Sequence, residues 1–585
     1  MPSKPTPEGL RPAPLADPFY YLRNFQSVVS WCRHHHGDLL LAEEQTQLDR
    51  ILALSLPAMA LLARMTMRKG HLFRTDKLRY AEITDLDSAL AELVQQTLVR
   101  PDPPIQALEI AQLCRRAELH QLLLQLSALK PDAKSVLGAS AGKAELSRLL
   151  VAQLPDQQDT ALGTLWPAAL FSVVALETET LLERVRLMFF GNMRQDWSEF
   201  VLAELGVQSY ENVPFTADSR AFHTRDEVDY YLTLHHCQQA LTEAAQQDVQ
   251  TDAGTAVPPL TPPPASTNPW LEHRRQRLLL AMGQHAERGG RHEDAANLYR
   301  QCHLGTAWVR YFRMREKQPE ATEALLHELS EKFHYFPQPE VQLHLGRVAK
   351  RLQKKVADVA LPSLNLQRTA PIRQQQLELM QQPDQSVEMT VRDQLSTEET
   401  PVYYVENHLF PGLLGLLLWP VLFAPLPGAF FHPFQSGPAD LYREDFVSRR
   451  RDAIEARLAS LQDGSYRDHI RQCYQAKHGM SCSLIFWPAL SETLIEQALD
   501  CIAPQKLLAI FRHLLLDLRH HRRGMPDLIQ FNLPQRDVEL IEVKGPGDRL
   551  QDHQTLWLNV FNQLGVKASV AQVRWRDPTP QATPS

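Results

Sequence analysis

No Cys-x-x-Cys pair occurs in the 585 residues, and the seven cysteines, Cys32, Cys114, Cys237, Cys302, Cys473, Cys482 and Cys501, are scattered and odd in number. That excludes a Cys₄ finger and favours reduced thiols in a cytoplasmic compartment. A global basic footprint is missing as well, since 61 Lys and Arg stand against 68 Asp and Glu, a formal net charge of −7. A nucleic-acid partner would have to be met by locally gathered cations. Residues 1–17 are proline-rich and lack an apolar signal core, so no export signal is expected. Long apolar runs are almost absent. The exception is 409–431, 23 residues without a charge, which Pro411, Pro420, Pro425 and Pro427 interrupt. Its longest intact piece, Gly412–Trp419, falls short of the about 20 residues that a bilayer requires. We read it as a buried helix rather than a membrane span.

What is present is an ordinary globular composition, 44% hydrophobic and 22% charged, in a chain too long for one core. A mostly α, multidomain fold is expected. Residues 18–250 read as helices, with Leu22, Phe25, Val28, Val29 and Cys32 at helical spacing. His34, His35 and His36 point in three directions on such a helix and predict a solvated or partly packed cluster, not a metal site. Within 101–155, helices at Ala107–Leu126 and Lys143–Leu154 flank a Gly- and Ser-containing loop. The Gly142-Lys143-Ala144-Glu145-Leu146 start resembles a SAP-type DNA-backbone binder, with Lys143 as a candidate contact. Residues 251–268 carry five prolines and predict an extended, mobile linker. In 269–400, Gly290–Tyr299 resembles the second helix of a TPR hairpin, where small alanines let paired helices approach. A TPR-like domain usually binds protein, yet Arg274, Arg275, Arg277, Lys350, Arg351, Lys354 and Lys355 equally suit a nucleic-acid cradle. The residues after 576 read as tail.

The chemistry concentrates in 524–566. Gly524-Met525-Pro526-Asp527-Leu528-Ile529 is a turn entering a strand, and Val538–Lys544 is a second strand after the polar break Asn532–Asp537. Side chains alternate on a strand, so Glu542 and Lys544 share a face, and Asp527 at the start of the hairpin can converge with Glu542. Two carboxylates and an amine on a partly buried face are costly unless something lies between them. A divalent cation such as Mg²⁺, which takes hard oxygen ligands, is the fitting occupant, with the Val543 carbonyl as a neutral further ligand. A glutamate entering the apolar 409–431 stretch would also be costly without a partner, which makes Glu406 a candidate ligand. Basic Arg519, Arg522 and Arg523 stand at the end of a helix read as Gln505–His521, just before the Pro-Asp turn, and are candidate phosphate contacts. Asp548 and Arg549 stand at the entry to a helix read as Gln551–Leu564, with Asp548 its expected cap and Arg549 a candidate phosphate ligand.

Pro526-Asp527 followed by Glu542-Val543-Lys544 resembles the PD-(D/E)xK nuclease signature. The longer strings Arg522–Leu528 and Glu542–Leu550 are similar to its VRR-NUC subclass, and within that to the Fanconi-associated nuclease family in its shorter bacterial form. Asp440–Leu458, with Arg449 and Arg450, also resembles that family. The resemblance is good over 401–570 and looser elsewhere. It implies a C-terminal α/β VRR-NUC domain at 401–576, with Asp527, Glu542 and Lys544 catalytic and Glu406 completing the metal site. It also implies that Gln554 faces the metals and that two Mg²⁺ or Mn²⁺ ions bind. The implied activity is a phosphodiesterase I-type 5′-flap endonuclease and 5′-to-3′ exonuclease on branched or flapped DNA, leaving 5′-phosphates, in interstrand-crosslink repair. The ubiquitin-binding zinc finger of eukaryotic members has no match here, and a cytoplasmic, nucleoid-associated location follows. Two other readings stay open: a Holliday-junction resolvase, and a non-catalytic TPR-like scaffold. Protein partners are not legible.

Overall fold

The computed structural model describes residues 19–68, 70–128, 141–154, 160–195, 197, 209–250, 261–318, 323–355, 371–382 and 384–576, with backbone alone at 127–128 and 246–250. The chain divides into two compact units, Met1–Gln208 with His223–Val228, and Ser209–Phe222 with Asp229–Ser585.

In the first unit the helix Tyr20–His36 buries Tyr21, Leu22, Phe25, Val28, Val29 and Cys32, the stripe its periodicity predicts. Further helices follow at Ala42–Ala53, Leu56–Thr66 and Leu86–Gln95. Ser55 caps the second of these by accepting from the Ala58 amide. Of the three histidines, His36 is buried, His35 lies against Trp31 and His34 is exposed, so the cluster is partly packed. Short strands β1 (Leu72–Arg74), β2 (Val99–Pro101) and β5 (Val173–Leu176) make a sheet of order β1-β5-β2, and β3 (Pro104–Ile105) pairs with β4 (Thr160–Ala161). The helix expected over Ala107–Leu126 is two, Ala107–Leu113 and Arg116–Ala128, because the extended backbone at Cys114 ends the first. The next helix begins at Lys143 as expected, while most of the loop before it lies outside the described residues.

The second unit opens on helices. Gly283 allows Pro269–Arg288 and His292–Gln301 to close up, since a Cβ there would sit 2.5 Å from the Tyr299 ring, and Ala295 and Ala296 are buried in the seam. Gly305–Arg315, Glu323–Tyr335 and Pro339–Lys355 extend the stack around Phe312, Leu329 and Leu345. The expected mobile linker is held where it is described: Arg275 donates to the Pro263 carbonyl at 2.6 Å and Asn268 to that of Ala221 at 2.9 Å. Residues 251–260 lie outside the description. Arg275 and Arg351 of the suggested cradle are engaged internally, the latter in a fork on Glu316.

A five-stranded mixed sheet organises the remainder. Its strands are β6 (Arg373–Leu379), β7 (Val402–Tyr404), β8 (Leu528–Asn532), β9 (Asp537–Lys544) and β10 (Lys567–Trp575), in the order β6-β10-β9-β8-β7. β10 runs parallel to both β6 and β9, whereas β7, β8 and β9 are antiparallel. One face, with Ile529, Phe531, Val538 and Leu540, packs on the large core that includes the wholly buried helix Leu409–Leu417. The other, with Leu528, Ile541 and Val543, is covered by the helix Val387–Leu395 through Val387, Val391 and Leu395. Two elements of this region, β6 and Val387–Leu395, lie before residue 401. Among the described residues no helix is long and apolar enough to cross a membrane.

Candidate active site

The hairpin register sets the geometry. Leu528 pairs with Ile541, so Asp527 stands one step beyond the ladder, beside Glu542 and Val543. There its carboxylate replaces the missing strand acceptor: the Val543 amide donates to Asp527 Oδ2 at 2.8 Å. N–H and C=O of one strand residue face the same edge, so the Val543 carbonyl looks the same way, past the start of β8. β7 supplies the third carboxylate. The Val405 amide donates to the Asp527 carbonyl at 2.8 Å, which brings the following residue, Glu406, to the turn.

Glu542 is 1% exposed. Its Oε1 takes the Lys544 ammonium at 2.8 Å and the Gln554 amide at 2.6 Å, while among the described residues its buried Oε2 has no hydrogen-bond partner. An anionic oxygen stripped of water and left unpaired is costly. The amide of Gln554 is fixed by its other end, which accepts from the Gln551 amide as part of a capping box. Burial, the charge of Glu542 and the nearby Glu406 and Glu388 push the Asp527 carboxyl up to about 7. Glu542 is raised too, by burial first and by Glu406, against the lowering effect of Lys544.

Three residues at this site escaped the sequence reading. Glu388, in the first turn of Val387–Leu395, adds a further negative charge toward Asp527. Asn407, in left-handed backbone at φ 57°, accepts from the Met525 amide at 3.1 Å and donates to Glu406 Oε1 at 3.2 Å, so one amide joins the Pro-Asp turn to that carboxylate. Tyr404 donates to Glu406 Oε2. An Asn directly after the candidate acid was the one signal available for them. Gly524 is obligatory on two counts: its φ is +81°, and a Cβ would lie 2.4 Å from His553 Cδ2.

Other expectations need correction. The 552–563 helix is capped by Gln551, and Asp548 instead accepts from the Gly545 amide at 3.1 Å, pinning the glycine turn. Arg450 is 4% exposed and forks onto the fully buried Asp440 at 2.8 and 2.9 Å, which leaves it no surface to offer DNA. Arg449 donates to the same carboxylate and to the Pro427 carbonyl. The helix expected to run unbroken from Gln505 to His521 is two, Pro504–Leu516 and Leu518–His521, because Asp517 adopts extended backbone and caps the second by accepting from the His520 amide. Arg522 lies over the Tyr442 ring at 4.3 Å, and Arg523 and Arg549 are exposed. Lys143 is exposed in the first unit and donates to the Gln112 carbonyl at 3.3 Å.

Residues 461–575 match the VRR-NUC domain, so the hairpin and its surroundings define a nuclease of that class. Residues 19–100 match the domain described as FAN1, HTH domain. The chain is 40% identical over 567 residues to the Fanconi-associated nuclease 1 homolog of Pseudomonas aeruginosa, covering 96% of this chain and 97% of that one. It belongs to the Fanconi-associated nuclease family. The Arabidopsis thaliana homolog is 24% identical over 94% of this chain and 66% of its own length. The human protein is 37% identical over 175 residues, 29% of this chain and 17% of its own. The solved structure described as paFAN1 bound to 2nt 5′flap DNA with gap aligns at TM-score 0.77 and 38% identity, over 97% of this chain and all of that one.

Proposed function

We propose that this chain hydrolyses phosphodiester bonds in 5′-flapped DNA as a two-metal, Mg²⁺- or Mn²⁺-dependent endonuclease and 5′-to-3′ exonuclease of the phosphodiesterase I type, leaving 5′-phosphates. Its place in the cell is DNA repair, with interstrand crosslinks as the lesion. The observation that carries the reading is the orphaned Oε2 of Glu542, buried beside Asp527 and Glu406 with one ammonium to offset them. Hard carboxylate oxygens with a carbonyl are the donor set that divalent magnesium or manganese takes, so the residues fit the ion. Asp527, Glu542, Glu406 and the Val543 carbonyl would hold it. Bound there, it would supply Lewis-acid stabilisation of the transferring phosphate and an acidified water.

The protein's own groups do the rest. Lys544 offsets charge beside the scissile phosphate and orients or deprotonates the attacking water. Gln554 and Lys544 hold the Glu542 carboxylate by one oxygen and leave the second free for the ion. Exposed Arg523 and Arg549, with Arg519 and Arg522, supply phosphate contacts near the turn, and Lys143 supplies one from the first unit. That the related paFAN1 has been solved on 5′-flap DNA with a gap favours a flap over a four-way junction as substrate.

The test is cleavage of end-labelled flap and four-way-junction DNA in Mg²⁺. Flap cutting is expected, abolished in Asp527→Ala with DNA binding retained. Preferential junction cutting would install the resolvase reading, an Asp527→Ala protein as active as wild type would overturn the assigned centre, and a wild-type chain that cuts neither substrate would leave the scaffold.

A further inference from the structure

A second cluster of metal-type ligands lies in the same unit, on the short helix that carries Arg519 and on the Pro339–Lys355 helix. Glu340, Asp517 and His520 each bring one ligand atom within 4.8 Å of the others. His521 adjoins them, 3% exposed, with Nε2 3.4 Å from Glu340 Oε2. Among the described residues neither of those two atoms has a hydrogen-bond partner.

The tautomer makes this pairing informative. His521 Nδ1 lies 2.6 Å from the His513 carbonyl, which can only accept, so Nδ1 carries a proton. The ring is held there by stacking on His513 at 4.4 Å, and the Trp557 indole donates to the His521 carbonyl at 2.9 Å. Nε2 therefore points at a carboxylate oxygen, Glu340 Oε2, 3.4 Å away. The two buried atoms face each other with no hydrogen bond between them, a gap that a cation, proton or metal ion, can fill. A backbone carbonyl on Nδ1 with Nε2 left open is the arrangement that prepares a histidine to ligate.

Distance and charge agree. Two ligands held at about 2.0–2.1 Å from a tetrahedral ion are about 3.3–3.4 Å apart, and Nε2 and Oε2 are separated by 3.4 Å. Two carboxylates with two neutral imidazoles balance one divalent charge, and mixed imidazole and carboxylate ligation suits zinc better than magnesium. Asp517 and His520, now hydrogen-bonded to each other at 2.7 Å, would open to admit it.

We propose that Glu340, Asp517, His520 and His521 form a structural Zn²⁺ site, separate from the nuclease centre, that clamps the Pro339–Lys355 helix to the segment leading into the Gly524–Asp527 turn. The proposal is independent of the catalytic reading and is tested with the nuclease centre silenced. Full-length Asp527→Ala, Glu542→Gln protein, stripped with chelator, is titrated with Zn²⁺ against a chromophoric competitor, and in parallel with Co²⁺ read by its visible absorption. One ion per chain is expected, with the intense bands of tetrahedral cobalt and a rise in melting temperature. Adding Glu340→Gln and His520→Ala, one conservative and the other at an exposed position so that folding survives, should weaken zinc by at least about 10–100-fold and bleach those bands. Zinc bound equally tightly by that variant, or no site in the silenced parent, overturns the assignment.

Discussion

Asp440 and Glu542 are both deeply buried carboxylates of the second unit, at 0% and 1% exposure, yet their surroundings differ in kind. Both oxygens of Asp440 are met by the Arg450 fork, and Arg449 adds a second guanidinium, so the charge is answered within the fold. Glu542 has one ammonium and one amide, both on the same oxygen, and its neighbours Asp527 and Glu406 are further acids, with Glu388 adding charge toward Asp527. The first arrangement is complete as folded protein. The second is complete only with something added. Buried charge in itself therefore says little, and what separates scaffold from site is whether each polar atom is already satisfied.

The contrast is sharpest in a pair of substitutions. Glu542→Gln should lower flap cleavage by at least about 100-fold, while the melting temperature in chelator holds or rises, since a poorly paired buried charge is gone. Asp440→Ala should do the reverse, removing about 3–5 kcal/mol of stability by stranding the buried Arg450, with the remaining folded molecules cutting at the normal rate. Denaturant titration and single-turnover cleavage of both proteins decide it. Equal stability losses would erase the distinction.

Acidity supplies the next test. The Asp527 carboxyl titrates in the fold at about 7, above the about 3.9 of an unfolded aspartate. The folded state therefore holds the proton more tightly, and this contribution is complete below about pH 4 and lost as pH rises through 7. In chelator the melting temperature should fall across that window. Saturating Mg²⁺ should flatten the slope, and Asp527→Asn should reduce it to the part that the raised Glu542 carboxyl contributes. Metal affinity should climb over the same range, since binding displaces the proton.

Smaller effects probe the supports. Asn407→Ala removes one bond to Glu406 and one to the turn, at about 1 kcal/mol each, and should reduce the cleavage rate about tenfold without weakening DNA binding. Arg523→Ala should leave the rate at saturating DNA intact while lowering the salt slope of binding by about one. Comparing kcat with Kd over a salt series separates these two.

How much was readable beforehand follows the same line. β8, β9 and β10 alternate or run apolar and are bounded by turn residues, so local chemistry announces them, and the register that brings Asp527 beside Glu542 follows from a short hairpin. β6, with the sequence Arg373-Gln374-Gln375-Gln376-Leu377-Glu378-Leu379, is an edge strand whose mostly exposed side chains carry no apolar alternation, and only its partner β10 makes it a strand. Glu388, Tyr404 and Asn407 join the site by tertiary approach, which spacing along the chain does not record. Arg449 and Arg450 looked like surface cations because nothing in sequence reveals that Asp440 is waiting for them. The break at Asp517 needed only a capping side chain, a signal present in sequence but outweighed by the leucines around it.

The sheet's connectivity has a consequence for biosynthesis. β10 is the strand that joins β9 to β6, since Ser569 pairs with both Ile541 and Arg373, and it is the last of the five to leave the ribosome. Until it emerges, the catalytic hairpin has a bare flank and the glutamine-rich β6 has no neighbour, two unpaired edges of the kind that invite association with other nascent chains. Ribosome stalling or premature termination before residue 567 would thus produce a chain holding every proposed nuclease metal ligand and prone to aggregate.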